Sequence, residues 1–94
     1  MNGEDNRTIL ILREYIKISE NRTKIMEVLN IGSQSPSKIA KTTGISVSTV
    51  SRILRELKEK GYVHILNPEE RKGRLYGLTE KGNLVMEHID EDLK

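Results

Sequence analysis

Residues 35–61, with the sequence SPSKIAKTTGISVSTVSRILRELKEKG, constrain the fold of this chain more than any other stretch. Ser35 and Pro36 are typical of a helix start, because serine can cap the first turn and proline lacks an N–H that would go unpaired there. Gly44 suits the tight turn that closes this short helix, and Ser46 is a second capping residue. The segment therefore predicts a helix, a tight turn and a second helix.

The second helix, residues 46–60, has the most regular apolar spacing in the chain. The aliphatic residues at intervals of three and four are Val50, Ile53, Leu54 and Leu57. That spacing places them on one side of the helix, where a core can bury them. The remaining positions carry mostly hydroxyl and guanidinium groups: Val47, Ser48, Thr49, Ser51, Arg52 and Arg55. A helix of this kind can rest on a small core and place its polar side in the DNA major groove.

The sequence that follows changes from helical to β-prone spacing. Residues 62–66 and 74–78 are rich in Tyr, Val, Ile and Leu, and a loop of mostly charged residues separates them. We therefore predict a hairpin over residues 62–78. Its loop contains the basic residues Arg71, Lys72 and Arg74. A helix-turn-helix over residues 35–61 followed by such a hairpin has the layout of a winged helix.

Apolar spacing predicts three further helices, at residues 8–18, 21–30 and 80–93. The β-branched residues of 8–12 would also suit a strand, but residues 13–17 restore helical spacing. The predicted order is four helices, two strands and a last helix, so the fold class is mainly α with a small β-hairpin. Residues 1–6 have no apolar anchor and are expected to be disordered.

The first predicted helix has apolar side chains on more than one side. Ile11 and Ile18 lie off its main stripe, so two surfaces are needed to cover the helix. One surface can be the core of the domain, and the other can be a second copy of the chain. The sequence shows no internal repeat or linker, and we expect residues 1–94 to form a single domain.

Basic residues are concentrated in the predicted helix-turn-helix and hairpin. Residues 36–81 contain ten Lys or Arg against five Glu, whereas residues 1–35 contain five of each sign and residues 82–94 contain four acids and one Lys. A local basic excess of this kind attracts the phosphate backbone of nucleic acids. The alternative is that the charged residues only solvate a small domain, but the agreement between charge and motif favours DNA binding.

The candidate contacts on residues 46–60 differ in their expected roles. The hydroxyls of Ser48 and Thr49 can donate or accept at base edges, and Val47 can lie against a thymine methyl group. Arg52 is long enough for two hydrogen bonds to guanine, whereas Arg55 is expected to reach phosphate. Ser51 lies on the same side and is a further candidate. Each hydroxyl could instead be a helix cap or a solvated surface group.

Two further groups of residues are expected to contact the DNA backbone. Ser37 and Lys38 lie at a helix start, where free N–H groups attract phosphate. In the hairpin loop, Arg71 and Lys72 are the foremost candidates for the minor groove or its rim, with Arg74 beside them.

Catalytic and metal sites have little support in the sequence. The chain contains no Cys, which excludes disulfides, thiolate zinc sites and Cys nucleophiles. His64 and His88 have no ligand spacing, and the acids Asp90, Glu91 and Asp92 are expected to form a solvated tail. We expect no enzyme activity, no metal and no cofactor.

The motif residues resemble the winged helix-turn-helix regulators of bacteria and archaea, particularly the MarR-like and ArsR-like groups. The patterns that match are S-x-x-x-I-A-x-x-x-G-I-S-x-S-T-V-S-R-x-L-x-x-L and Y-x-L-T-x-K-G, and the resemblance covers about residues 22–83. It implies that the helix beginning at Ser46 is the recognition helix and that residues 69–74 form the wing. It also implies a homodimer on palindromic operators, built from the terminal helices 8–18 and 80–93.

The resemblance further implies a transcriptional regulator, and repression by occlusion of a promoter is expected. ArsR-like metal sensors have Cys or His clusters, and their absence here argues against thiolate metal sensing. No apolar run approaches the roughly 18 residues of a membrane span, and the polar start is not that of a signal peptide, so a cytoplasmic protein is expected. The sequence does not define an effector.

The main alternative is a winged helix that binds protein instead of DNA. Such a docking face would present an aromatic or aliphatic anchor. Here Ser48, Arg52 and Arg55 leave the face polar and cationic, which favours DNA.

Overall fold

The computed structural model describes residues 6–91 of the chain. Its elements are α1 (Asn6–Lys17), α2 (Glu20–Ile31), α3 (Pro36–Thr43), α4 (Val47–Glu59), β1 (Val63–Ile65), β2 (Tyr76–Leu78) and α5 (Glu80–Glu87). This order confirms the predicted fold class. The helix α1 includes Asn6, which was expected to be disordered, and the rest of that prediction lies outside the described residues.

Serine and threonine side chains cap four of the helices. Each accepts a hydrogen bond from the backbone N–H three residues further on, and the caps are Ser19, Ser35, Ser46 and Thr79. Between α3 and α4, Gly44 has a φ of 79°, a left-handed conformation that favours glycine. Its N–H donates to the carbonyl of Ala40 at 2.8 Å and closes the turn. The predicted helix-turn-helix is therefore present.

The apolar core lies around α2, which packs against α1, α3, α5 and β2. The predicted stripe of α4 is buried, with Val50, Leu54 and Leu57 fully inaccessible. Ile16 of α1 is buried, whereas Ile11 of α1 and Ile18, which directly follows the helix, are 65% and 69% exposed, so apolar side chains do lie off the buried side as predicted. No charged or polar residue is buried within residues 7–91.

The hairpin is shorter than predicted and has an additional pairing partner. β1 and β2 are antiparallel, with Val63 opposite Leu78, and each strand has three residues instead of the predicted five. Gln34, which was expected to lie in a loop, forms an isolated bridge to Tyr76, with N–H to O distances of 3.1 and 2.9 Å. A single paired residue has no repeating pattern of side chains in the sequence, and its pairing depends on a tertiary contact. The sequence could therefore not predict this bridge.

α5 ends at Glu87, earlier than the predicted residue 93. Residues 88–90 form turns, in which the N–H of His88 donates to the carbonyl of Val85 at 3.1 Å. Arg13 of α1 donates to the backbone carbonyls of His88 and Glu91. The predicted helix over 80–93 is thus too long, because this distant arginine holds the chain in turns and acidic residues are unfavourable at a helix C-terminus. Residue 93 lies outside the described residues.

Among residues 6–91, no helix has the length and apolar character needed to cross a bilayer.

Candidate nucleic-acid interface

The outward side of α4 brings together several of the predicted contact residues. Ser48, Arg52 and Arg55 are exposed, and Val47 at the start of the helix is 49% exposed. At about 100° per residue, positions 48, 52 and 55 lie opposite the buried stripe. The core thus fixes which way α4 faces and leaves this polar side outward.

The start of α4 uses some of its hydroxyl groups for capping. The Ser46 hydroxyl accepts from the Thr49 N–H at 3.3 Å and donates to the Thr49 Oγ1 at 3.0 Å. Thr49 and Ser51 are half-buried, whereas Ser48 is exposed, with its Oγ 3.4 Å from that of Ser46. The structure therefore places Thr49 in the cap and leaves Ser48 as the hydroxyl most available to a ligand.

Arg52 has a partner on its own helix that the sequence interpretation did not consider. Its Nη1 lies 3.3 Å from the Glu56 Oε2, one turn further along α4. Both side chains are well exposed, at 57% and 39%. An exposed pair four residues apart contributes only about 0.3–0.5 kcal/mol, so water or another ligand can displace it. The spacing of a charged pair four residues apart was the signal that could have identified Glu56.

The first turn of α3 presents Ser37 and Lys38 to solvent. The Ser35 hydroxyl accepts the Lys38 N–H at 3.3 Å, which fixes the direction of this turn. The positive end of the helix dipole and the Lys38 ammonium group both favour an anion here.

The loop of the wing, residues 67–74, is held together by Asn67. Its Oδ1 accepts the Leu75 N–H at 2.8 Å, and its Nδ2 donates to the Gly73 carbonyl at 3.2 Å. Arg74 is half-buried, and its Nε donates to the Glu70 carbonyl at 2.7 Å. The structure thus places Arg74 inside the framework of the loop. Sequence interpretation missed Asn67 as an organising residue, although asparagine commonly bonds nearby backbone in turns.

Arg71 and Lys72 lie at the exposed tip of this loop. Gly73 follows them with a φ of 66°, a left-handed conformation that lets the chain reverse. The two cations are consequently presented on an ordered turn, clear of the core.

The junction between α4 and α5 explains the T-x-K-G part of the sequence pattern. The Thr79 hydroxyl donates to the Gly61 carbonyl at 2.5 Å, and the Lys81 Nζ donates to the Lys60 carbonyl at 2.7 Å. Gly82 packs so closely on the Tyr62 backbone that a Cβ at this position would overlap the Tyr62 carbonyl oxygen. These contacts satisfy carbonyls at the end of α4 and fix the helix relative to α5.

Two tyrosines tie α1 to the same junction. The rings of Tyr15 and Tyr62 stack with centroids 5.6 Å apart, and the Tyr62 hydroxyl donates to the Leu12 carbonyl at 2.9 Å. The Arg22 guanidinium lies 3.9 Å from the Tyr15 centroid, and the Lys81 Nζ lies 4.8 Å from that of Tyr62. Burial raises the pKa of Tyr62, with a further rise from Tyr15 and an opposing effect of Arg22. This stack holds α1 against the base of α4.

The two histidines lie on separate parts of the fold, His64 in β1 and His88 directly after α5. His64 is exposed, and the His88 Nδ1 lies 2.7 Å from the Glu91 Oε1. The part of the chain that the structure describes contains no group of three or more His, Asp or Glu able to hold a metal ion.

The chain matches the HVO_A0261 N-terminal domain family over residues 13–94. It belongs to this family. The match includes the helix-turn-helix, the wing and the α4–α5 junction, and so covers all the elements of the candidate interface.

Two enzymes are similar to this chain in sequence. A riboflavin kinase from Pyrococcus abyssi is 43% identical over 56 residues, which is 60% of this chain and 26% of that protein. A phenylalanine–tRNA ligase alpha subunit from Metallosphaera sedula is 38% identical over 77 residues, which is 80% of this chain and 16% of that protein. The chain therefore spans about a quarter or less of the length of these relatives.

Two solved structures similar to this chain are described as a putative and a possible transcriptional regulator. A putative MarR-family transcriptional regulator from Enterococcus faecalis matches with a TM-score of 0.72 and 22% identity, over 95% of this chain and 83% of that one. A homodimeric winged helix-turn-helix DNA-binding domain from Mycobacterium bovis, a possible ArsR-family regulator, matches with a TM-score of 0.66 and 22% identity, over 92% and 82%. These likenesses confirm the winged helix-turn-helix fold and the predicted resemblance to MarR and ArsR regulators.

Proposed function

We propose that this family member binds double-stranded DNA as a transcriptional regulator, with α4 in the major groove. The observation that carries the proposal is the outward side of α4, where Ser48, Arg52 and Arg55 are exposed opposite the buried stripe. Hydroxyl and guanidinium groups are the side chains that bind base edges and phosphates. The polar character of this side also agrees with the structural likeness to regulators.

The exposed cations outside α4 support the same proposal. Arg71 and Lys72 at the wing tip would contact the backbone or minor groove, and Ser37 and Lys38 would hold a phosphate at the start of α3. Val47 would lie against a thymine methyl group. Thr49, Ser51 and Arg74 would act chiefly by supporting these contacts, since all three are half-buried.

The proposal includes a homodimer. Ile11 lies on α1 and Ile18 directly follows it, with its N–H donating to the Glu14 carbonyl at 3.0 Å as in a helix. The two are seven residues apart, so they lie on one side, and both are largely exposed. A second copy that covers this side, with α5 beside it, would exclude water from both residues. Two recognition helices placed about 34–36 Å apart would then reach successive major grooves of a palindromic site.

In this scheme the chain acts without catalysis, as one DNA-binding domain, and represses by occluding a promoter in the cytoplasm.

A second candidate is a winged-helix module that binds protein. Two observations favour it: the sequence relatives are enzymes of which the chain matches only a part, and an apolar cleft lies beside α2. The cleft has a volume of about 350 Å³ and is lined by Lys24, Glu27, Val28, Ile31, Thr42 and Thr43. Ile31 at its edge is 89% exposed. This surface lies on α2 and α3, apart from the outward side of α4.

Binding to random duplex DNA at two salt concentrations distinguishes the candidates. A DNA-binding domain should lose affinity steeply as salt rises, because each neutralised phosphate contributes about 0.9 to the log–log slope. Fluorescence anisotropy with a labelled duplex measures this slope. Arg55→Ala should lower the log–log slope by about 0.9, the contribution of one phosphate contact. Lys24→Ala, an equal charge change on α2, should leave the slope unaltered. Absence of binding by the unaltered chain would favour the protein-binding module.

A further inference from the structure

We propose that Glu56 is a specificity-determining residue for DNA. Its carboxylate pairs with Arg52 in the free protein, and a base edge that binds Arg52 takes the place of this carboxylate. This inference rests on the proposed function and adds a role for a residue that makes no favourable contact with phosphate. The acid lowers the affinity of α4 for other DNA sequences more than for the correct site, and so increases the difference between them.

The geometry of α4 places Glu56 where it can do this. In the described residues, the Glu56 carboxylate is the hydrogen-bond partner of the Arg52 side chain, at 3.3 Å. Glu56 lies about 40° around the helix from Arg52, at the flank of the outward side. Both side chains remain in contact with solvent, so the pair can open without disturbing the core.

The chemistry of the competing ligands makes the exchange selective. A phosphate that approached Arg52 would also approach the Glu56 carboxylate, and the repulsion would cancel much of the attraction. Guanine offers two acceptors in one plane and has no net charge, so Arg52 can bind it without that repulsion. Breaking the exposed pair costs only about a twofold change in affinity, whereas a two-bond contact with guanine provides roughly five- to hundredfold discrimination.

Two variants with the same change in charge test the proposal. Glu56→Gln removes the partner of Arg52, and Glu59→Gln removes an exposed acid one turn further along the same side of α4. Duplexes are first selected by the unaltered chain from a random pool. The dissociation constants of all three proteins are then measured for the selected duplex and for a scrambled one at the same salt concentration.

We expect Glu56→Gln to bind scrambled duplex about threefold more tightly and selected duplex within twofold of the unaltered chain. Glu59→Gln should change both affinities by the same factor. Selection repeated with Glu56→Gln should weaken the preference for guanine at one position of each half-site, and Arg52→Ala should weaken it at the same position.

Equal responses of the two glutamine variants would overturn the role of Glu56 while leaving DNA binding intact. If the unaltered chain bound selected and scrambled duplex equally, the sequence-specific part of the proposed function would fail as well. Circular dichroism melting of each variant separates these outcomes from loss of fold, since both substitutions are on exposed or half-exposed side chains.

Discussion

Gly82→Ala should be one of the most destabilising single-methyl additions in the chain. An added Cβ would overlap the Tyr62 carbonyl oxygen and lie 3.2 Å from the Tyr62 carbonyl carbon and 3.3 Å from the Leu78 Cβ. Two of these neighbours are backbone atoms, so no rotation of a side chain relieves the contact. The same carbonyl oxygen accepts the Thr79 N–H at 3.0 Å, and a shift of Tyr62 would weaken that bond.

The magnitude follows from three terms. Forcing a methyl group into a packed contact costs about 1–3 kcal/mol. Weakening one backbone hydrogen bond adds about 0.5–1.5 kcal/mol. The better helix propensity of alanine returns at most about 1 kcal/mol. We therefore expect a net loss of about 2 kcal/mol in the free energy of unfolding, which in a domain of this size lowers the Tm by about 8–16 °C.

Urea denaturation followed by circular dichroism measures the loss, with all samples at one protein concentration because a dimer would couple stability to concentration. Gly32→Ala is the matched control. A Cβ at Gly32 would meet nothing within 4 Å, and its φ of 175° is an extended conformation open to any residue. We expect that control to remain within about 0.5 kcal/mol of the unaltered chain. If both alanine variants unfolded at the same urea concentration, the close approach of α5 to Tyr62 would not be a feature of the molecule.

Two further predictions concern DNA and assembly. Arg52→Ala should weaken binding to the selected duplex by about 1–3 kcal/mol and binding to the scrambled duplex far less, whereas Lys72→Ala should weaken both about equally. Anisotropy titrations measure both affinities. Equal losses for Arg52→Ala on the two duplexes would contradict its contact with a base. If the chain forms the proposed dimer, Ile18→Glu should shift it toward monomer in sedimentation equilibrium without lowering the helix content, because Ile18, directly after α1, is 69% exposed in the protomer. Lys17→Glu is the neighbouring control, and a dimer unchanged by Ile18→Glu would exclude the side of α1 that continues into Ile18 as the interface.

Much of the fold could be predicted from local signals. The spacing of apolar residues alone predicts the buried stripe of α4, because a helix that packs on a core repeats its contacts every three or four residues. The caps Ser35 and Ser46 could be predicted because the hydroxyl of a serine just before a helix favours a hydrogen bond to an N–H of the first turn. These features depend on residues that are close in the sequence, so they can be predicted from it.

The differences arise where partners are distant in the chain. The end of α5 depends on Arg13, 75 residues before His88, and the bridge of Gln34 depends on Tyr76. Neither contact leaves a pattern in the sequence. At the candidate interface, the Thr49 Oγ1 accepts from the Ser46 hydroxyl and the Arg74 Nε donates to the Glu70 carbonyl, and the DNA contacts predicted for both residues stay predictions.

The sequence patterns that link this chain to known regulators are mostly architectural. In the helix-turn-helix pattern, Ser35 and Ser46 are caps, Gly44 makes the turn, and Val50 and Leu54 are buried. In the second pattern, threonine, lysine and glycine join α5 to the end of α4.

A pattern made of caps, turns and core residues identifies a fold, and enzymes and regulators can share it equally. The sequence relatives named as a kinase and a tRNA ligase, beside a structural neighbour described as a putative regulator, agree with this view. Exposed residues can distinguish a DNA-binding domain from an enzyme-associated module. The two sequence patterns specify few of these residues. On α4 the exposed residues include Arg55, and its positive charge supports the proposal of DNA binding more directly than the family match does.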